Sequence, residues 1–393
     1  MPLRLIIFLS ISLALLFGMH YAFFRSIICF FEINRPLLKN ILYTAMVLLT
    51  VSFMSAFMLL QWRETFWTIS YYKFAAVWMG FLIHFLAAIG TAWLLWGTFR
   101  LFGVMVPAKI IATALLAIAV GGSVYGMWAA FHPLVRDVAI PVRHLPEAWE
   151  NKTIIQLSDL HLGHFHQSGF TRRIVEAVNA MDPELILVTG DLLDGMGGAY
   201  EQNLKPLDGL QARQGMFFVT GNHEHYVGLK RALRIIEQTP LRILDNEAVA
   251  IDGLEIIGVS YPGIESKAQI AGLEPSSASG TARILLFHTP TEMDIHADSH
   301  EDRHFSNYWM PNTTYNLNKT LEADVQISGH THHGQLFPIN FITRLLYKGR
   351  DYGLSTDGAF QLYTTCGTGS WGPPMRTAGR PEIVRIRLVQ KAE

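Results

Sequence analysis

Charge is scarce in this 393-residue chain: 16% of its residues are Asp, Glu, Lys or Arg, and the 31 basic and 32 acidic side chains nearly cancel. Without a basic excess the sequence has no electrostatic footprint for nucleic acid. Cysteine is rarer still. Cys29 lies inside an apolar segment and Cys366 in a late strand-like run, which argues against a structural disulfide and leaves the redox compartment open. No internal repeat or low-complexity tract is present.

What the chain has in excess is apolar sequence, concentrated before about residue 131. A hydrocarbon core about 30 Å thick is crossed by roughly 20 helical residues. Leu5–Phe24, Ile41–Leu60, Phe74–Phe99 and Ala108–Phe131 each reach that length, and the charges they lack fall between them. Trp62, Trp67, Tyr71, Tyr72 and Trp128 lie near the expected ends, as an interfacial belt requires. The reading is a four-helix transmembrane region over 1–131. The first span is expected to be retained, because no small-x-small cleavage site follows it and more spans do. Arg4, Arg63, Lys73, Arg136 and Arg143 flank one side and Arg25, Arg35, Lys39, Arg100 and Lys109 the other, so the basic residues do not choose an orientation. His20 and His84 lie in spans without acidic partners, which favours helix packing over a conduction path. Gly122-x-x-x-Gly126 could let two helices approach closely.

His132-Pro133 ends the fourth span, and Pro141 and Pro146 keep the linker 132–150 extended. From 151 to 393 the pattern changes. Ile154–Leu157, Leu185–Val188, Phe217–Val219, Leu254–Val259 and Ile284–Phe287 read as strands, with helices near Phe170–Ala180 and Leu229–Glu237. That alternation predicts an α/β layered domain.

Five polar blocks follow the ends of these strands and a later one: Asp159-Leu-His161, Gly190-Asp191, Gly221-Asn222-His223-Glu224, His288, and Gly329-His330-Thr-His332. Residues two apart in an extended segment point the same way, so Asp159 and His161 can face one ion, and His330 and His332 one cluster. Gly190, Gly221 and Gly329 precede ligand positions where the backbone must turn tightly. In this order the blocks resemble the calcineurin-like metallophosphoesterase family over roughly the last two-thirds of the chain.

The resemblance implies a sandwich of two mixed sheets flanked by helices. It also implies a pair of divalent ions: Asp159, His161 and His332 at the first, Asn222, His288 and His330 at the second, and Asp191 bridging. Manganese is the first expectation, then iron or zinc, since the set holds imidazole and oxygen but no thiolate. His223 is the expected catalytic residue, beside the ions and able to protonate a departing alkoxide. Glu224 either orients His223 or acts as a helix N-terminal acid.

His164, His166 and His225 are expected as exposed loop residues rather than site-lining ones, and His333, standing where many close members of the family carry Gly, is the exception for which a site-lining role stays open. Glu292–Leu321, with His296, His300, Asp302, Arg303, His304, Tyr308 and Trp309, resembles an insertion over the site. Ser276–Gly280 reads as a flexible loop, and Arg376 as a salt-bridge residue that could reach a phosphoryl oxygen. The blocks resemble most closely the membrane-associated branch of the family. The expectation is therefore a multi-pass cell-membrane phosphohydrolase cleaving a phosphodiester or pyrophosphate bond in a lipid-linked substrate. Its oligomeric state is left open. A protein or small-molecule phosphomonoesterase, or a metal-binding membrane sensor, are the alternatives.

Overall fold

The computed structural model describes residues 3–264, 272–273, 281–295 and 311–391. The chain divides into two compact units, one of Met1–Trp128 with Leu336–Pro338 and Gly372–Thr377, the other holding the remainder.

The first unit is built on four long helices: α1 (Leu3–Phe30), α2 (Pro36–Trp62), α3 (Phe66–Leu101) and α4 (Ala108–Ala130). Each contains a stretch long and apolar enough to cross a membrane. The helices run beyond the apolar stretches because interfacial residues can continue a helix whose backbone bonds stay satisfied. Pro36 starts α2 at a position where a missing N–H costs nothing. Thr65 and Thr68 cap α3 reciprocally, each hydroxyl accepting from the other's backbone N–H. Phe23, Phe24, Met46, Leu82, Ile89 and Ile111 pack inside, while Leu48, Met58, Leu94 and Ile118 are exposed. Helices apolar on inner and outer faces alike suit lipid as the outer solvent.

The polar groups in these helices pair locally. Trp78 donates from Nε1 to His20 Nε2 at 2.9 Å. His84 meets Ser123 Oγ at Nδ1 and Thr377 Oγ1 at Nε2, both at 2.8 Å, the packing role expected of it. Gly122 has open space, and Gly126 takes the 372–377 segment instead of a second helix: its carbonyl accepts from the Arg376 N–H at 2.9 Å. Arg376 is thus part of the helical unit.

The second unit contains two six-stranded mixed sheets. In chain order it runs β1 (Leu134–Val142), β2 (Ile154–Leu157), α5 (Ser168–Asn179), β3 (Leu185–Thr189), α6 (Tyr200–Leu204), β4 (Gly215–Val219), α7 (Asn222–Val227) and α8 (Leu229–Ile236). Then come β5 (Arg242–Ile243), β6 (Glu247–Ile251), β7 (Leu254–Val259), β8 (Gly263–Ile264), β9 (Ala282–Phe287), β10 (Asp294–Ile295), α9 (Asn316–Thr320) and β11 (Val325–Ser328). It ends with α10 (Ile339–Leu346), β12 (Gly353–Asp357), β13 (Phe360–Thr364) and β14 (Glu382–Gln390). One sheet has the order β1-β14-β2-β3-β4-β5 and the other β12-β13-β11-β9-β7-β6. The stretch Leu134–Val142, extended as Pro141 requires, is an edge strand parallel to β14.

Alternation sorts the side chains. Ile154, Leu185, Leu187 and Phe217 face Ile284, Leu286, Val325 and Ile327 between the sheets, while Ile155, Leu157, Ile186 and Val188 turn out to meet Phe170, Ile174 and Ile235 of α5 and α8. β2, β3 and β4 run parallel, as do β9 and β11. Their carboxyl ends carry the five polar blocks.

Of the Glu292–Leu321 interval, the ends are joined: Glu292 N–H donates to Asn312 O at 2.8 Å and its carboxylate accepts from Leu317 N–H at 3.0 Å. His296, His300, Asp302, Arg303, His304, Tyr308 and Trp309, and the Ser276–Gly280 loop, lie outside the described residues.

Candidate metal centre

Each block begins within three residues of a strand's end: Asp159 after β2, Asp191 after β3, Asn222 after β4, His288 after β9 and His330 after β11. The chain cannot continue extended there. Asp159, His161, Asp191, His330 and His332 all adopt left-handed backbone, with φ of 53°, 47°, 52°, 72° and 50°. Extended alternation is therefore not what aligns Asp159 with His161 or His330 with His332. Left-handed turns do so, each costing on the order of 1–3 kcal/mol and persisting only where the surroundings impose them.

The glycines make room for these turns. Gly190 has φ of 87° and lies against His288 and Gly221. Gly221 and Gly329 are not left-handed. A Cβ on Gly221 would overlap Asp191 Oδ1, and one on Gly329 would overlap Ser158 Oγ and Asp159 Oδ2.

The seven expected ligands converge in two groups. Asp159, His161 and His332 form one: His161 Nε2 is 3.0 Å from His332 Nε2, which is 3.3 Å from Asp159 Oδ1. Asn222, His288 and His330 form the other: Asn222 Oδ1 is 3.1 Å from His288 Nε2 and 3.0 Å from His330 Nδ1, and those two nitrogens are 3.2 Å apart. Asp191 Oδ2 lies 3.2 Å from His288 Nε2 and 3.9 Å from His161 Nε2, between the groups.

Imidazole nitrogens facing each other at such distances fit a shared cation. Ligands bonded at about 2.1 Å and a right angle to one another stand about 3.0 Å apart. His288 is also oriented from behind, since its Nδ1 donates to Thr189 O at 2.7 Å and turns Nε2 inward.

Electrostatics follow from burial. Burial on its own would lower His288, but the adjacent Asp191 carboxylate reverses this and raises it to about 9. Burial would likewise raise Asp191, yet His288, His223 and His161 outweigh it and hold that carboxyl well below the usual range. Burial, reinforced by His288, lowers His330 to about 3, leaving a neutral imidazole.

His223 is buried beside the first group, its ring 4.4 Å from that of His161. Its Nδ1 is hydrogen-bonded to the Asp194 carbonyl, and its Nε2 is 4.0 Å from Asp191 Oδ2. Glu224 does not orient it. That carboxylate accepts instead from the N–H groups of Gly221, Asp191, Leu192 and Leu193 at 2.7 to 3.2 Å, tying the Asp191 loop to the start of α7.

Asp194 is the site residue missed in the sequence. Its Oδ1 lies 3.7 Å from His161 Nδ1, its carbonyl holds His223, and burial raises its carboxyl to about 7. An acid three residues after Asp191 was the available signal. The neighbouring histidines also differ from expectation: His164 and His166 are buried, not exposed. His166 Nε2 packs against Ser370 Oγ at 2.9 Å, with its ring 4.3 Å from Phe170. His225 is hydrogen-bonded to Tyr261 O at 2.9 Å, and His333 Nδ1 to Asp351 Oδ2 at 2.7 Å.

Residues 152–334 match the family model for calcineurin-like phosphoesterases. An uncharacterized metallophosphoesterase of Helicobacter pylori is 30% identical over 274 residues, 67% of each chain. A transmembrane protein with metallophosphoesterase domain from Danio rerio is 31% identical over 305 residues, 72% of this chain and 62% of that one. An uncharacterized metallophosphoesterase of Aquifex aeolicus is 27% identical over 267 residues, 65% of this chain and 92% of its own. With candidate metal-holding clusters of His and Asp near its strand ends and this likeness across two thirds of its length, the chain belongs to the calcineurin-like phosphoesterase family.

Proposed function

We propose that this protein is a cell-membrane phosphohydrolase that uses two divalent ions to cleave a phosphodiester or pyrophosphate bond in a lipid-linked substrate. The observation that carries the reading is the pair of donor groups around Asp191: Asp159, His161 and His332 on one side, Asn222, His288 and His330 on the other. When bound, two ions supply Lewis-acid charge to the phosphoryl oxygens and a nucleophile from water. Manganese is the first candidate, with iron and zinc after it.

The chain's own residues do the rest. Asp191 sits where one carboxylate can serve both groups. Asn222 contributes an amide oxygen without added negative charge. His223, with Nδ1 committed to the Asp194 carbonyl, keeps Nε2 for the substrate and gives a proton to the leaving oxygen as its bond to phosphorus breaks. The lipid-linked substrate is supported by four candidate spans in the same polypeptide and by a relative named as a transmembrane protein with this domain.

The test is hydrolysis of a chromogenic phosphodiester and a phosphomonoester by full-length protein, stripped of metal and reloaded with manganese, iron or zinc. Metal-dependent diester cleavage, abolished in Asp191→Ala, is the expected result. Preference for the monoester would overturn the diester reading, and silence with two ions bound would leave either a very selective enzyme or a binding protein.

A further inference from the structure

Helix α10 stands apart from every other helix of its unit: none of its residues is buried. Phe341, Ile342 and Leu345 are 61%, 59% and 79% exposed. At offsets of one and four residues they fall on one stripe about 100° wide. From Gly334 to Arg350 the chain has no acidic residue and three basic ones, Arg344, Lys348 and Arg350. An apolar stripe bordered by cations is the composition of a helix that lies in a membrane interface.

This helix is built onto the candidate metal centre. Gly334, two residues past His332, has no room for a Cβ because the Asn340 backbone of α10 occupies that space. Trp371, half exposed, is clasped to the same loop: its N–H donates to Gln335 Oε1 at 3.2 Å and its carbonyl accepts from Gln335 Nε2 at 2.9 Å. The Trp371 ring lies 6.0 Å from that of His223, and the exposed Tyr226 ring lies 4.9 Å from it. One loop therefore carries His330 and His332, supports α10, and holds an aromatic side chain beside His223.

We propose that α10, with Trp371 and Tyr226 at its side, is an interfacial rim that inserts into the headgroup region of the bilayer and hands a lipid phosphoester to His223. Lipid fits better than a protein partner. A stable protein interface needs about 20–30 residues a side, whereas α10 offers three large apolar side chains. The exposed Arg344 and Lys348 match anionic headgroups, Arg350 being already paired with Asp357, and a chain with four candidate spans always has a bilayer at hand.

The inference deepens the lipid-linked reading and depends on it only for substrate delivery. Insertion itself is tested without turnover. Full-length protein carrying Cys29→Ser is reconstituted into vesicles of phosphatidylcholine and phosphatidylglycerol, leaving Cys366 buried. An environment-sensitive fluorophore is attached at Leu345→Cys or, as control, at Glu150→Cys, an exposed site just before the amino end of β2.

Doxyl-labelled lipid should quench the Leu345 probe several-fold more than the Glu150 probe. Equal quenching overturns the inference whatever substrates are cleaved. In the second arm, Phe341→Ser/Ile342→Ser/Leu345→Ser should lower the ratio of vesicle-borne to soluble diester turnover at least tenfold. An unchanged ratio overturns the delivery role. A quenched Leu345 probe in a protein that ignores all vesicle-borne diesters would retain the rim and remove the lipid-linked substrate.

Discussion

The imidazole of His223 is fixed at one nitrogen and open at the other. Nδ1 is bonded to the Asp194 carbonyl, and in the proposed acid role the worth of His223 depends on how much the leaving oxygen needs a proton. General acids of this kind contribute about 10²–10⁴ in rate. His223→Ala should therefore slow release of an alkoxide by about 100-fold or more, while a nitrophenolate, stable without a proton, should lose less than about tenfold. Equal losses across a series of leaving groups would sink the acid role and leave His223 as a phosphoryl-oxygen contact. His288 leads to a second expectation. With Asp191 raising it to about 9, the free protein holds a proton there at neutral pH, and an ion must displace it. Apparent metal affinity should rise by about tenfold per pH unit from 7 to 9 and flatten above. Calorimetry in two buffers of different ionisation enthalpy would record the released proton; an affinity flat over that range would mean that His288 is already neutral in the free protein or is not a ligand.

At the scale of elements, the sequence exposed the blocks and not the turns between them. Ile154–Leu157 and Leu254–Val259 are strands over the residues expected of them, because short apolar runs ended by Gly, Ser or Asp leave little choice of structure. The order of the polar blocks then located the site. Left-handed backbone at Asp159, His161, Asp191, His330 and His332 was hidden, since it is imposed by contacts such as Asp159 accepting from the His330 N–H at 3.1 Å, 171 residues away. Glu224 does act as a helix N-terminal acid, one of its two expected roles, by accepting from the Gly221 N–H, but its three N–H partners on the Asp191 loop were hidden for the same reason, since sequence spacing carries no sign of them. His166 looked like a loop histidine because its partner, Ser370, lies 204 residues on. Helix α10 passed unnoticed as well, for its eight residues are too few for periodicity to stand out.

For the whole molecule, the consequence of the four long helices is that their outer faces need no protein to cover them. Lipid tails are as apolar as leucine, so an exposed leucine there gains little by being large. Leu94, 70% exposed, and Ala92, fully buried two residues earlier on α3, separate the two environments. Ala92 belongs to the cluster of Phe23, Phe24, Phe30 and Ile111, where added methylenes force neighbours off their rotamers. Ala92→Leu should cost about 1–3 kcal/mol, and Leu94→Ala less than about 0.5 kcal/mol, read as thermal unfolding of the purified protein in lipid nanodiscs. A comparable loss for Leu94→Ala would place a protein surface, such as a second copy of the chain, against that face of α3. The outer stripe of α3 would then be an assembly contact, and the bilayer would meet the chain elsewhere.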